Sequence, residues 1–158
     1  MTPVKVYNLV IDPKDDQYVV VLEEIDGPRL LFIWIGSPEA RAIALGLQGV
    51  KFERPLTHDL LLNILKNFKI KILDVVISDI KDNTYYAYIN MIQDSYRVKV
   101  DSRPSDAIAL ALGVNVPIFV QEEVWEKGSV TLKPITDKEE EEFKKKLENL
   151  RPEDFMDL

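Results

Sequence analysis

The stretch DSRPSDAIALALG, from Asp101 to Gly113, constrains this chain more than any other segment. The residues before it, YRVKV, alternate as a strand does. Pro104 has the fixed φ suited to a first helical turn, and a run of small apolar residues follows at once. A strand must therefore hand over to a packed helix at this point. Asp101, Ser102, Arg103, Ser105 and Asp106 stand at that corner. Asp106 falls in the first turn, near free backbone N–H groups, and Gly113 is placed to close the helix. An arginine and an aspartate displayed at a helix start are suited to holding an anion or positioning a reacting group.

The flanking pattern supplies the rest of the fold. KVYNLVI and YVVVLEEI are β-rich runs separated by the loop DPKDD, and Asp26-Gly27 signals a hairpin before LLFIWI. Ser37 reads as the N-cap and Pro38 as the first residue of a helix packed through Ala42, Ile43, Leu45 and Leu47. Thr57 reads as the cap of a second helix, with Leu61, Ile64, Leu65 and Phe68 spaced for one buried face. KIKILDVVISDI, TYYAYINMI and YRVKV, with turns at Asp82-Asn83 and Asp94-Ser95, form an antiparallel meander. On that meander Tyr86 and Tyr88 share one face and Tyr85 takes the other, and packing is their expected role. SPEARAIALGLQGV and RPSDAIALALGVNV echo each other as two strand–helix units. Thr136 and Glu139 make a capping-box pattern for a last helix whose apolar stripe is Phe143, Leu147 and Leu150, ended by Arg151-Pro152. The expected fold is α+β: a mostly antiparallel sheet with packed helices and an added C-terminal helix. Residues 1–134 form the domain, and residues 135–158 form the amphipathic helix and tail packed on it.

Charge and composition exclude several functions. The net charge is −7, and residues 137–158 carry −4 of it, so the remaining body is still acidic at −3. Phosphate contacts supply most non-specific affinity for nucleic acid, so such a chain is no general nucleic-acid coat. A nuclease reading needs a local basic patch or bound metal ions. With no cysteine, disulfides, thiolate zinc sites and cysteine nucleophiles are excluded, and a cytoplasmic protein is expected. No segment is apolar for long enough to span a membrane, and the start reads as a strand. There is no G-x-x-x-x-G-K-[ST], G-x-G-x-x-G, H-E-x-x-H or G-x-S-x-G, which disfavours P-loop enzymes, dinucleotide enzymes, zincins and α/β-hydrolases.

DSRPSDAIALALG followed by VPIFVQEEV resembles the signature of the bifunctional nuclease domain family, and RPLTHDLL (Arg54 to Leu61) is similar to that family's second motif. The resemblance covers roughly residues 4–125. It implies an α+β domain, a homodimer and cleavage of both DNA and RNA.

The residues themselves suggest how. His58, the single histidine, stands at a helix start where the dipole favours the neutral ring. It can act as a base or a ligand, unless the Thr-His-Asp trio merely caps the helix. The catalytic candidates are His58, Asp59, Asp101 and Asp106. Arg54, Arg103 and Ser105 would bind substrate. Asp101, Asp106 and Glu123 would hold Mg²⁺ or Mn²⁺, since their oxygens suit such ions. An internal salt bridge is the structural alternative for Asp106, and a plain helix start is the alternative for Glu123. The leading expectation is a divalent-metal-dependent nuclease. The alternative is a non-catalytic dimeric interaction or ligand-sensing module, which fits the acidic charge and the lack of a complete catalytic motif.

Overall fold

The computed structural model describes residues 1–12, 16–134 and 136–148. Its strands are β1 (Thr2–Asp12), β2 (Gln17–Glu24), β3 (Arg29–Ile35), β4 (Lys71–Lys81), β5 (Thr84–Gln93), β6 (Tyr96–Ser102), β7 (Ile118–Val120) and β8 (Ser129–Leu132). Its helices are α1 (Ser37–Gln48), α2 (Thr57–Asn67), α3 (Pro104–Val114), α4 (Glu122–Lys127) and α5 (Asp137–Glu148). The strands form one sheet in the order β6-β5-β4-β7-β1-β2-β3-β8. Every neighbouring pair is antiparallel except β4 and β7. The fold is thus the α+β arrangement expected.

The parallel pair has a clear cause. Two parallel strands need a crossover, and the chain between β6 and β7 supplies it as α3. This helix is apolar almost all round, and seven of its residues, from Pro104 to Ala111, are buried. Its alanines let neighbours approach closely. Gly46 of α1 contributes to this too, because a Cβ there would stand 3.1 Å from Leu112 Cβ. The two echoing segments are therefore the two helices that pack together on one face of the sheet. Both carry proline in the first turn and end on a left-handed residue, Gly49 with φ 65° and Asn115 with φ 57°.

Asn115 corrects the expectation for Gly113. The helix runs on through Val114, and asparagine tolerates the left-handed cap. Gly113 serves contact instead: a Cβ there would lie 2.6 Å from Leu62 Cδ1 of α2. The starts of α1 and α2 also shift by one residue, to Gly36 and Leu56 as N-caps, so neither Ser37 nor Thr57 holds that position.

β2 and β3 are buried on both faces, which is why they read as unbroken apolar runs. Val20, Leu22, Leu31 and Ile33 enter the main core under α1 and α3. Val19, Val21, Leu30 and Phe32 meet Phe143 of α5 on the other face. Thr136 Oγ1 accepts from Glu139 N–H, and Glu139 accepts from Thr136 N–H, so the capping box is present. Leu150 and the Arg151-Pro152 stop lie outside the described residues, as does the side chain of Leu147. β8 was not foreseen. It is four residues long and lines up on the free edge of β3.

α2 departs from its expected face. None of its residues is fully buried, and Leu61, Ile64 and Phe68 are exposed. Of the expected face only Leu65 packs against the core, and Leu62 joins it there. Leucines or isoleucine at 60, 61, 62, 64 and 65 surround the axis, so spacing alone does not choose a side. The helix sits with a groove along each flank, and this looseness positions the candidate site.

Candidate active site at the corner of α2 and α3

Arg103 is the N-cap residue of α3, extended at φ −70° and ψ 146° as a residue before proline prefers. Its side chain makes no cap. Nε donates to Asp106 Oδ2 at 3.2 Å, and the terminal NH2 donates to Glu39 Oε1 of α1 at 2.7 Å. Glu39 foremost, then Asp106, raises the guanidinium pKa and holds it firmly charged. The other oxygen of Asp106, Oδ1, lies 3.1 Å from Nε2 of His58 in the first turn of α2. Residues 48 apart in sequence thus meet. An ionised carboxylate only accepts, so in the tautomer that satisfies this contact Nε2 donates and Nδ1 keeps its lone pair. His58 and Asp106 are both partly exposed, at 24% and 34%.

These groups edge a groove of about 1350 Å³ between α1, α2 and the β5–β6 strands, with Leu65, Met91 and Leu110 in its apolar wall. Asp101 and Arg41 line the same groove. The expected pair of motifs therefore shares one cleft through His58, Asp101, Arg103 and Asp106.

Other expected residues lie elsewhere. Asp59 accepts the Leu56 N–H at 3.0 Å, closing the start of α2, and lines the groove on the opposite flank. The Thr-His-Asp trio thus divides: Asp59 serves the helix and His58 serves the cleft. Ser105 is 5% exposed and lines a neighbouring cavity of about 430 Å³ with Tyr18 and Trp34, on the other side of Arg103, which borders both. Arg54 is exposed just before α2 and lines neither groove. Glu123 is exposed on α4 and also lines neither. Among the described residues no three His, Asp or Glu side chains gather as a metal centre. Glu39 is the residue that sequence reasoning missed. The echo between α1 and α3 held the signal, because both helices place an acid in the first turn that their proline opens.

The corner is that of an α+β domain holding an aspartate–histidine pair beside an arginine at a helix start. The chain belongs to the bifunctional nuclease domain family, whose sequence model matches residues 20–133 and so spans both motifs. It is also 38% identical over 164 residues to two proteins of Mycobacterium tuberculosis, from strains CDC 1551 and H37Rv, each named only as an uncharacterized protein. Each alignment covers 98% of both chains. Among the described residues no helix is long and apolar enough to cross a membrane.

Proposed function

We propose that this protein hydrolyses phosphodiester bonds of DNA and RNA, with His58 as general base and Asp106 as the group that orients it. The observation that carries this reading is the 3.1 Å contact between His58 Nε2 and Asp106 Oδ1 at the edge of an open groove. A family credited with cutting DNA needs water as nucleophile, since DNA has no 2′-hydroxyl. Nδ1 of His58 takes the proton of that water as its oxygen attacks phosphorus; the P–O bond on the far side breaks, the leaving oxygen takes a proton from solvent, and the imidazolium returns its proton to water. Arg103 faces the developing negative charge, while Asp101 and Arg41 border the same space. Asp101 or Asp106 would hold Mg²⁺ or Mn²⁺, and such an ion would supply stabilisation of the charge developing on the phosphoryl group. No step above depends on it.

The proposal includes a homodimer in the cytoplasm. Leu60 and Ile64 on α2, Phe68 at its C-cap, and Tyr96, Val98 and Val100 on β6 leave apolar surface exposed, more than scattered single residues would. Sedimentation equilibrium at micromolar concentration should show twice the 18.2 kDa chain mass, and a species of that mass alone would remove the dimer.

One observation favours the rival interaction module: Glu39 and Asp106 already neutralise Arg103. The two readings separate on end-labelled RNA and DNA strands incubated with EDTA, Mg²⁺ or Mn²⁺. The nuclease cuts both, and His58→Ala loses about 10²–10⁴-fold in kcat/KM, the usual worth of a general base. A purified wild type that cuts neither strand under any of these conditions ends the enzyme reading.

A further inference from the structure

An acidic nuclease needs a basic surface somewhere, and the His58 groove does not supply it. That groove is lined by Arg41 and Arg103 against Glu39, Asp101 and Asp106, a net negative wall when His58 is neutral. Across α2 the charge reverses. A second groove, of about 980 Å³, is lined by Lys51, Lys66, Lys69 and Lys71 against only Glu53 and Asp59. Among the described residues none of these four lysines is paired with a carboxylate; Lys99, Lys138, Lys144 and Lys145 are unpaired too, but none of those lines this groove. In a chain of net charge −7 this is an unneutralised cluster. Lys69 also stands at φ 58°, a left-handed position usually given to glycine or asparagine. The pull of a helix C-terminus on cations accounts for Lys66 and Lys69 but not for Lys51 or Lys71.

We infer that this lysine groove holds the sugar–phosphate backbone of a single nucleic-acid strand beyond the bond being cut. The inference rests on the nuclease reading above. The two grooves are neighbours, with Pro55 and Leu65 bordering both. A strand crossing the start of α2 reaches His58 on one side and the lysines on the other. The floor of the lysine groove is apolar, and Phe52 stands 44% exposed at its edge. A lysine rim over an apolar floor matches a single strand, whose phosphates meet the cations while its unpaired bases lie on apolar and aromatic surface. A duplex keeps its bases inside and would leave that floor unused.

The test compares Lys51→Gln/Lys66→Gln/Lys71→Gln with a charge-matched control on α5, Lys138→Gln/Lys144→Gln/Lys145→Gln. Each set is placed in a His58→Ala chain so that the probe stays intact. Anisotropy of a fluorescein-labelled single-stranded oligonucleotide is read as salt rises fourfold. Each phosphate contact contributes about 0.7 to the slope of log K against log salt for single strands, so the groove variant should be shallower than its parent by about 2. Over that range its affinity should fall about sixteenfold less. The α5 control should keep the parent slope. An unchanged slope, or an equal change in the control, overturns the groove. Cleavage by the wild type, measured alongside, separates the two claims. Cleavage without lysine-dependent binding removes the groove alone. Lysine-dependent binding without cleavage removes the nuclease alone and leaves the groove as a nucleic-acid surface.

Discussion

Among the described residues two arginines sit between two carboxylates, and only one of them borders the candidate groove. Arg29, at the start of β3, donates to Glu24 Oε1 at 2.7 Å and to Glu122 Oε1 at 2.9 Å. Arg103 donates to Glu39 at 2.7 Å and Asp106 at 3.2 Å. The surroundings differ. Arg29 is stacked on the buried Trp125 ring, 4.4 Å from its centroid, and Glu24 is 7% exposed and also accepts the Arg29 N–H. Arg103 is 66% exposed, and its chain of contacts ends on a histidine at a groove. The same ion-pair chemistry therefore closes a hairpin onto α4 in one place and reaches a histidine at the edge of a groove in the other. Burial of the acid, and what the acid touches next, decide between these outcomes.

Removing each arginine should break the comparison in opposite ways. Arg29→Ala leaves Glu24 buried and unpaired, which costs about 3 kcal/mol and lowers the thermal midpoint by roughly 6–12 °C for a domain of this size. Activity per folded molecule should stay at the wild-type level. A scan showing an unchanged midpoint would contradict the structural role. Acid sharpens the same point. The Arg29 hydrogen bond, more than any other influence, holds the Glu24 carboxyl below its ordinary value near 4.5. A depressed folded pKa means that this stabilisation is complete above about pH 4.5 and is lost as pH falls through the folded value. The midpoints of wild type and Arg29→Ala should therefore converge in acid and stay apart at neutral pH.

Arg103→Ala should show the reverse pattern. Exposed ion pairs contribute about 0–1 kcal/mol, so the midpoint should move little. The variant leaves Glu39 and Asp106 uncompensated beside a phosphodiester and removes a charge-assisted donor worth about 1.5–3 kcal/mol, so kcat/KM should fall roughly tenfold to hundredfold. A large drop in midpoint with activity per folded molecule intact would make this cluster a second structural lock.

The sequence disclosed the site's corner better than its membership. The strand–proline–helix pattern at Asp101–Gly113 placed Arg103 and Asp106 correctly, because proline and a small-residue run act locally. The antiparallel meander was legible for the same reason: Asp82 and Asn83 take the left-handed φ values of 50° and 62° that their turn demands. The meeting of His58 with Asp106 and the reach of Arg103 to Glu39 depend on how α1, α2 and α3 pack, and no local pattern records that. α2 misled through its excess of leucines. β8 was missed because four residues carry too little alternation, and its place is set by the open edge of β3.

The smallest effect concerns Asp59, the neighbour of His58 that serves the helix instead. Asp59→Ala should cost about 1 kcal/mol of stability, as the loss of a helix-start hydrogen bond does. Its kcat/KM should hold. A hundredfold fall in activity with stability intact would return Asp59 to the reacting centre.

The dyad is tested most directly by a double-mutant cycle in kcat/KM on one RNA and one DNA strand, using His58→Ala, Asp106→Asn and the pair combined. Asp106 acts by orienting His58, so once the ring is gone Asp106 has little left to contribute. The combined variant should lose about what His58→Ala loses alone, with midpoints close to wild type. Losses that multiply, each substitution keeping its full effect in the presence of the other, would mean that the two side chains act independently and that their 3.1 Å contact is not the working unit of the site.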